Sequence, residues 1–364
     1  MGTSPEPVEA AAGPAAAPGG LHRRRTIAIA IITGLVVLAV ATAAFLLNRP
    51  RTETAAPVPA PAQTSAPAPE TTTPGPTPEP TPTPTPDPPP VALNILLVGS
   101  DSRGNARATA ASGATSDQRG DALVLLHLPA DRQSIYGISI MRDVWVDVPG
   151  YGAAKVNAGL EFGGLPLMTR TVEALLGQSI SHTVMLDFEG FAALTDALGG
   201  VDVNIPRAFQ GTVDDFVYFP AGVNRLNGVQ ALAFVRERHA FSDGDYQRVR
   251  NQQTFLKAVM AKMAAEGGLS DRNTVKQLVQ TVLPHVTVSP ALTVETLEQL
   301  AFSLRATPPG NAVFFTLPTA GTGFSRDGQS IILQNPAATA AVAAALASGT
   351  LADYVAANGL QNGT

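Results

Sequence analysis

The chain of 364 residues carries 24 Lys and Arg against 29 Asp and Glu, a formal net charge of −5, and no cysteine. That acidic balance argues against a nucleic-acid partner, and a chain of this length without cysteine relies on neither disulfide staples nor thiol chemistry. Five histidines without metal-ligand clustering argue against a structural zinc site.

The first 25 residues are rich in Ala, Pro and Gly and end in His22-Arg-Arg-Arg25, before an uncharged run at 26–47. As a helix this run of 22 residues would rise about 33 Å, enough for the roughly 30 Å hydrocarbon core of a bilayer. The arginines direct the amino end to the cytoplasm, although Arg49 and Arg51 beyond the run reduce the asymmetry. The run is longer than the roughly 7–15-residue core of a signal peptide and no small-x-small site follows, so a retained anchor rather than a cleaved leader is expected. The composition then shifts to Pro, Thr, Ala and Glu, with Thr-Pro repeated from Thr77 to Pro86. Such a segment favours polyproline II and would reach more than about 100 Å if straight. The expected organisation is a disordered cytoplasmic tail at 1–25, a transmembrane helix at 26–47 and an extracytoplasmic linker at 48–90. A catalytic domain at 91–357 and a flexible tail at 358–364 complete it.

Strands are expected at 93–98, 122–128, 134–140, 144–148, 183–187, 201–205 and 312–317, several of them apolar almost throughout, as in a sheet covered on both faces. Helices are expected between and after them: 165–176, 188–198, 228–234 with Asn227 as N-cap, 246–263, 292–304, and 336–346 capped by Asn335. In 246–263 the stripe Val249, Gln253, Leu256, Met260 and Met263 turns inward, while Arg248 and Gln252 share a neighbouring face. The last dozen residues are expected to fray. The alternation defines an α/β domain.

The charged residues cluster at strand ends. NILLVGSDSR at 94–103 runs an apolar strand into a small-residue turn carrying Asp101 and Arg103, where open α/β sheets bind ligands. Arg119 and Asp121 precede the second strand, Arg142-Asp143 follows the third, and Arg236, Arg238 and Arg248 come later. Arg236 and Arg238, two apart, would project to one side of an extended segment. Convergent arginines repel one another unless an anion lies between them, and their planar forks match phosphate oxygens. Asp101 and Asp121 supply the hard oxygens that a divalent cation bridges to phosphate. No Walker loop, dinucleotide fingerprint or Gly-x-Ser-x-Gly elbow is present.

These segments, in order, closely resemble the LytR–CpsA–Psr family of cell-envelope glycopolymer transferases. The likeness includes MRD at 141–143 before VDVPGYG at 146–152, KVN at 155–157, GGVDV at 199–203, LNG at 226–228 and ALAFVRERH at 231–239. It continues through DYQR at 245–248 and Gln252-Gln253, so it spans roughly 91–265. The resemblance implies a three-layer α/β/α domain with a central mixed sheet and helices on both faces, enclosing an apolar tunnel for a lipid. Phe162, Leu165, Leu167, Met168, Leu175, Leu186, Phe188, Phe191 and Leu194 could line the tunnel or serve as ordinary core.

By motif position the resemblance implies Asp101 and Asp121 as magnesium-side carboxylates, with manganese an alternative ion. Arg103, Arg119, Arg142, Arg236, Arg238 and Arg248 would hold pyrophosphate, with Gln252 an added polar contact and Asp121 the proton acceptor. The implied reaction moves a glycan with its proximal phosphate from a polyprenyl-pyrophosphate carrier to a peptidoglycan hydroxyl, outside the membrane. Alternatives are a pyrophosphohydrolase using water, and a nonenzymatic protein that holds lipid-linked glycans. Met141 stands where the family has proline, Gly120 where it has Ser or Thr, and a small-residue insertion separates Arg103 from Arg119. That insertion is open to two readings, a lid or a disordered segment.

Overall fold

A computed structural model describes residues 91–101, 106–213, 216–265, 276, 279–280, 283–304 and 307–362. The expected tail, transmembrane helix and linker at 1–90 lie outside the described residues, as does Arg103. Among the described residues no helix is long and apolar enough to cross a membrane.

A meander opens the domain: β1 (Leu93–Ser100), β2 (Gly120–Leu128) and β3 (Ile135–Ile140) pair antiparallel in turn. Every residue of β2 and β3 is buried. Strand side chains alternate between faces, so complete burial means that both faces of the sheet are covered. A hairpin of β4 (Trp145–Val148) and β5 (Gly152–Lys155) follows, then β6 (His182–Asp187) parallel to β1. Next, β7 (Val201–Ile205) pairs with β10 (Gly222–Leu226) around the short pair β8 (Phe209–Gln210) and β9 (Tyr218–Phe219). Finally β11 (Val286–Val288) joins β6 and β12 (Ala312–Thr316) lies parallel to β3, before a hairpin of β13 (Thr319–Phe324) and β14 (Ser330–Gln334). The central mixed sheet has the order β11-β6-β1-β2-β3-β12.

The helices are α1 (Ala106–Ser112), α2 (Ala158–Leu176), α3 (Phe188–Ala197), α4 (Gly228–Arg236), α5 (Asp245–Ala265), α6 (Val294–Ser303), α7 (Pro336–Ser348) and α8 (Leu351–Ala357). Two expected caps form. Asn227 Oδ1 accepts from the Gln230 N–H while Gln230 Oε1 accepts from the Asn227 N–H, and Asn335 Oδ1 accepts from the Ala338 N–H. In α5, Val249, Gln253, Leu256 and Met260 are buried as the stripe requires. Leu165, Leu167, Met168, Leu186, Phe191 and Leu194 belong to one continuous core, with Phe162 and Leu175 packed against it.

The strands expected at 144–148 and 201–205 form, in hairpins outside the central sheet. Both alternate buried and exposed positions, VDVNI in β7 most clearly, which suits a half-covered hairpin rather than a strand buried on both faces. The insertion after Arg103 contains α1, which packs on α2 where Gly163 and Gly164 break the helix. At Gly164 φ is +60°, and a Cβ would come within 2.3 Å of the Ala110 carbonyl oxygen, so only glycine admits this contact. The expected frayed end is instead α8 and a 3-10 turn at Leu360–Asn362, with Leu351, Val355 and Leu360 buried and the last turn against β12.

Candidate active site

Because β2 runs against its two neighbours, its amino end shares one sheet edge with the carboxyl ends of β1 and β3. Asp101 immediately follows β1, whose Ser100 pairs with Gly120, and Asp121 is the second residue of β2. Arg142 lies just past β3. The loop after α4 delivers Arg238, and the first turn of α5 delivers Asp245 and Arg248.

Charges interlock at that edge. Arg142 Nη1 donates to Asp121 Oδ1 at 2.9 Å, while its Nε lies 3.3 Å from both Asp143 Oδ2 and Asp245 Oδ2. Asp245 also accepts Arg238 Nη1 at 3.2 Å and Arg248 Nη2 at 2.7 Å. Lys155 Nζ reaches Asp143 Oδ1 at 3.0 Å. Arg248 is 2% exposed, and its buried Nε and Nη1 find no hydrogen-bond partner among the described residues. A fully buried guanidinium with two unserved donor atoms is costly unless an anion completes it.

Burial moves the titrating groups. It pushes the Asp121 carboxyl up to about 6, against the opposing pull of Arg142 and Arg248, and it also raises Asp101. Burial would raise Asp245 too, but Arg248, Arg142 and Arg238 outweigh it and hold that carboxyl below its usual range. Arg248 is pushed down to about 10 by burial and by neighbouring Arg142.

The structure thus brings together Asp121, Arg142, Arg238 and Arg248. Arg236 differs from the expectation of an extended pair with Arg238. It closes α4 because the chain turns extended only at Glu237, and its guanidinium lies 4.5 Å from the centre of the Phe188 ring. Arg119 sits at the rim, pairing with Glu161 at 3.2 Å, and its N–H approaches Asp101 Oδ1 at 3.4 Å. Gln252 is buried and donates to the Val235 carbonyl at 3.4 Å, tying α5 to α4. Asp245, Asp143 and Lys155 were absent from the expected site residues. Asp245 was detectable: an acid three residues before an arginine on a helix lies on the same face.

Asp101 and Asp121 fit a divalent cation by their chemistry. They are desolvated carboxylates at adjacent strand ends, both held above the ordinary range, and a cation would offset that cost. Among the described residues no group of three or more acids or histidines gathers to hold a metal. Two aspartate ligands would therefore leave the remaining positions to phosphate oxygens and water.

A protein-family model, the LytR_cpsA_psr family, matches residues 81–344, well over half of the chain. The chain belongs to the LytR_cpsA_psr family. Among curated relatives it is similar to the polyisoprenyl-teichoic acid–peptidoglycan teichoic acid transferase TagU of Bacillus cereus. The two are 33% identical over 189 residues, covering 52% of this chain and 58% of that protein. It is also similar to the cell wall biosynthesis protein LcpA of Corynebacterium glutamicum, 29% identical over 279 residues and covering 66% and 53% of the respective chains. The chain spans little more than half the length of these curated relatives. Among solved structures, TagV of Bacillus subtilis superimposes with a TM-score of 0.61 at 23% identity, covering 71% of this chain and 97% of that one. The LytR-Csp2A-Psr enzyme of Actinomyces oris superimposes with a TM-score of 0.55 at 24% identity, over 70% and 89%. These LytR_cpsA_psr structures share the α/β fold.

Proposed function

We propose that this LytR_cpsA_psr protein is a magnesium-dependent phosphotransferase of the cell envelope. It would move a glycopolymer with its proximal phosphate from a polyprenyl-pyrophosphate carrier to a peptidoglycan hydroxyl. The observation that carries this reading is Arg248, a buried guanidinium with Nε and Nη1 unserved, beside Arg142 and Arg238. Three guanidiniums share the Asp245 carboxylate there, and a pyrophosphate offers the oxygens they lack. The similarity to TagU, a polyisoprenyl-teichoic acid–peptidoglycan teichoic acid transferase, supports the same kind of substrate pair.

In this mechanism the acceptor hydroxyl oxygen bonds to the proximal phosphorus as the bond from that phosphorus to the bridging oxygen breaks. The bridging oxygen leaves on polyprenyl phosphate. Asp121, poised near neutrality, takes the hydroxyl proton, while Arg142, Arg238 and Arg248 meet the charge that grows on the equatorial and leaving oxygens. Magnesium, held by Asp101 and Asp121, would supply further charge neutralisation. The lipid would run in an apolar tunnel that includes Phe191 and Leu194, a reading supported by the Arg236 guanidinium 4.5 Å from the Phe188 ring at the start of α3. Residues 26–47 would anchor the domain and 48–90 would space it outside the membrane. Protease applied to intact wall-stripped cells should then remove the domain while sparing a tagged amino-terminal fragment.

The deciding experiment incubates the full-length protein in detergent with polyprenyl-pyrophosphoryl oligosaccharide, un-crosslinked peptidoglycan and magnesium. Mass analysis should find a glycan–phosphate–peptidoglycan linkage and polyprenyl monophosphate. Arg238→Ala should depress product, and Arg238→Lys should restore it only partly because an ammonium lacks the bidentate fork. Release of every glycan phosphate to water would replace this reading with the hydrolase. Tight donor binding without cleavage would replace it with a holding protein.

A further inference from the structure

The chain has a single tryptophan, Trp145, and it lies outside the core. Val146 and Val148 bury one face of the β4–β5 hairpin, leaving Trp145, Asp147 and Ala153 on the other. Trp145 pairs directly with Lys155, so their side chains project from the same face. Lys155 reaches Asp143 at 3.0 Å, and Asp143 lies 3.3 Å from Arg142. The hairpin that carries the indole is therefore tied to Arg142 through Lys155 and Asp143.

A cavity of about 450 Å³ opens at this indole, lined by Trp145, Ala153, Arg326 and Asp327. The last two come from the turn between β13 and β14. That turn is held closed: the Ser325 N–H donates to the Gln329 carbonyl at 2.9 Å, the Gly328 N–H to the Ser325 carbonyl at 3.0 Å, and Gln329 Nε2 to Asp327 Oδ2 at 2.6 Å. The Ile332 N–H in turn donates to the Asp143 carbonyl at 2.9 Å, fixing β14 against the turn that follows β3. An aromatic face with an exposed guanidinium and a carboxylate held by Ser325 and Gln329 beside it matches a pyranose. The sugar's C–H face stacks on the ring, and its vicinal hydroxyls accept from arginine and donate to aspartate. Ala153 is small enough to leave that face open.

We propose that this cavity is the docking subsite for the acceptor glycan, holding a sugar of the strand whose hydroxyl is phosphorylated beside Arg142. The proposal rests on the phosphotransferase reading, and it adds the residues that choose the acceptor. Because Trp145 is the only tryptophan, its fluorescence reports this subsite alone. Full-length protein titrated with an amino-sugar tetrasaccharide from un-crosslinked peptidoglycan should show saturable quenching, and so should the Arg248→Met variant, whose turnover is expected to be severely lowered. Trp145→Ala, its fold checked by circular dichroism, should raise acceptor KM about tenfold with kcat and donor KM little changed, and Trp145→Phe should recover most of the loss. Arg326→Ala and Asp327→Ala should each raise the same KM several-fold. A silent indole at roughly 10 mM fragment, a response to the donor oligosaccharide alone, or an unchanged acceptor KM in Trp145→Ala overturns the subsite. Transfer that proceeds with a silent indole removes the subsite and keeps the phosphotransferase. Quenching by the tetrasaccharide in a protein that transfers to no acceptor keeps a saccharide site and removes the phosphotransferase.

Discussion

Glu237 and Asp245 stand at the two ends of the loop joining α4 to α5, and their surroundings differ in kind. Glu237 accepts from the Thr212 N–H and hydroxyl, the latter at 2.8 Å, and from the N–H groups of Arg238 at 2.8 Å and Ala240 at 3.0 Å. Burial alone would raise its carboxyl, yet these donors hold it below the usual range. Asp245 instead meets the guanidiniums of Arg142, Arg238 and Arg248, with donors left over on Arg248. A carboxylate satisfied by fixed neutral dipoles holds a loop in place. One shared by a surplus of cations prepares a place for an anion.

Replacing a residue in each setting separates the two roles. Arg248→Met should lower turnover by roughly 10²–10³, the scale of removing one fixed donor to a charged transition state, while leaving thermal stability unchanged or raised. Asp245 keeps Arg142 and Arg238 in that variant, so no carboxylate is stranded. Glu237→Ala should do the reverse. It orphans backbone donors at Thr212, Arg238 and Ala240 and should cost about 3 kcal/mol in urea unfolding, with activity falling only as the loop is lost. A destabilised Arg248→Met beside an intact Glu237→Ala would invert the assignment.

Asp121 sharpens the same contrast through pH. Metal-free, its carboxyl lies at about 6, and a cation held there would draw it lower, so in magnesium kcat/KM should rise with pH to a plateau reached below that value, and Asp121→Asn should lose roughly 10² in rate and flatten the profile. The stability sign is opposite. Folding lifts this carboxyl above its ordinary 3.8, so its contribution favours the fold below about pH 4 and is lost as pH climbs through about 6. Denaturant midpoints of the metal-free protein across that window should therefore fall less steeply in Asp121→Asn than in the parent. Equal slopes would show that Asp121 does not titrate there.

Much of this was legible in sequence because strand ends are. Apolar runs at 93–98 and 122–128 located β1 and β2 and put Asp101 and Asp121 at strand ends, while the antiparallel pairing that brings those ends to one edge is seen only in the structure. What escaped depends on tertiary contact. Nothing in the small-residue segment after Arg103 announces that α1 docks at the Gly163–Gly164 break, where the Ala110 carbonyl excludes any Cβ. The strand pairs β8–β9 and β13–β14 are too short or too mixed in pattern to stand out, so the turn carrying Arg326 and Asp327 had no visible neighbour. The spacing of Asp245 and Arg248 puts them on one helix face, yet spacing alone does not separate an internal counter-ion from a surface pair. Arg236 closes α4 instead of joining Arg238 in an extended pair, because only at Glu237 does the backbone turn extended.

Arg119 tests how far the anion site extends. Its side chain is 60% exposed and pairs with Glu161, itself partly exposed, at 3.2 Å. Exposed pairs contribute little, so Arg119→Ala should change stability by less than about 0.5 kcal/mol. If Arg119 reaches the donor's pyrophosphate only from the rim, the same variant should raise donor KM a few-fold and leave kcat alone, with the effect shrinking as salt is added because screening acts on exposed charges. Arg248, buried, should show no such salt dependence. A salt-insensitive collapse of kcat in Arg119→Ala would move this residue from the rim into the reacting cluster, and would imply that the Glu161 pair opens when donor binds.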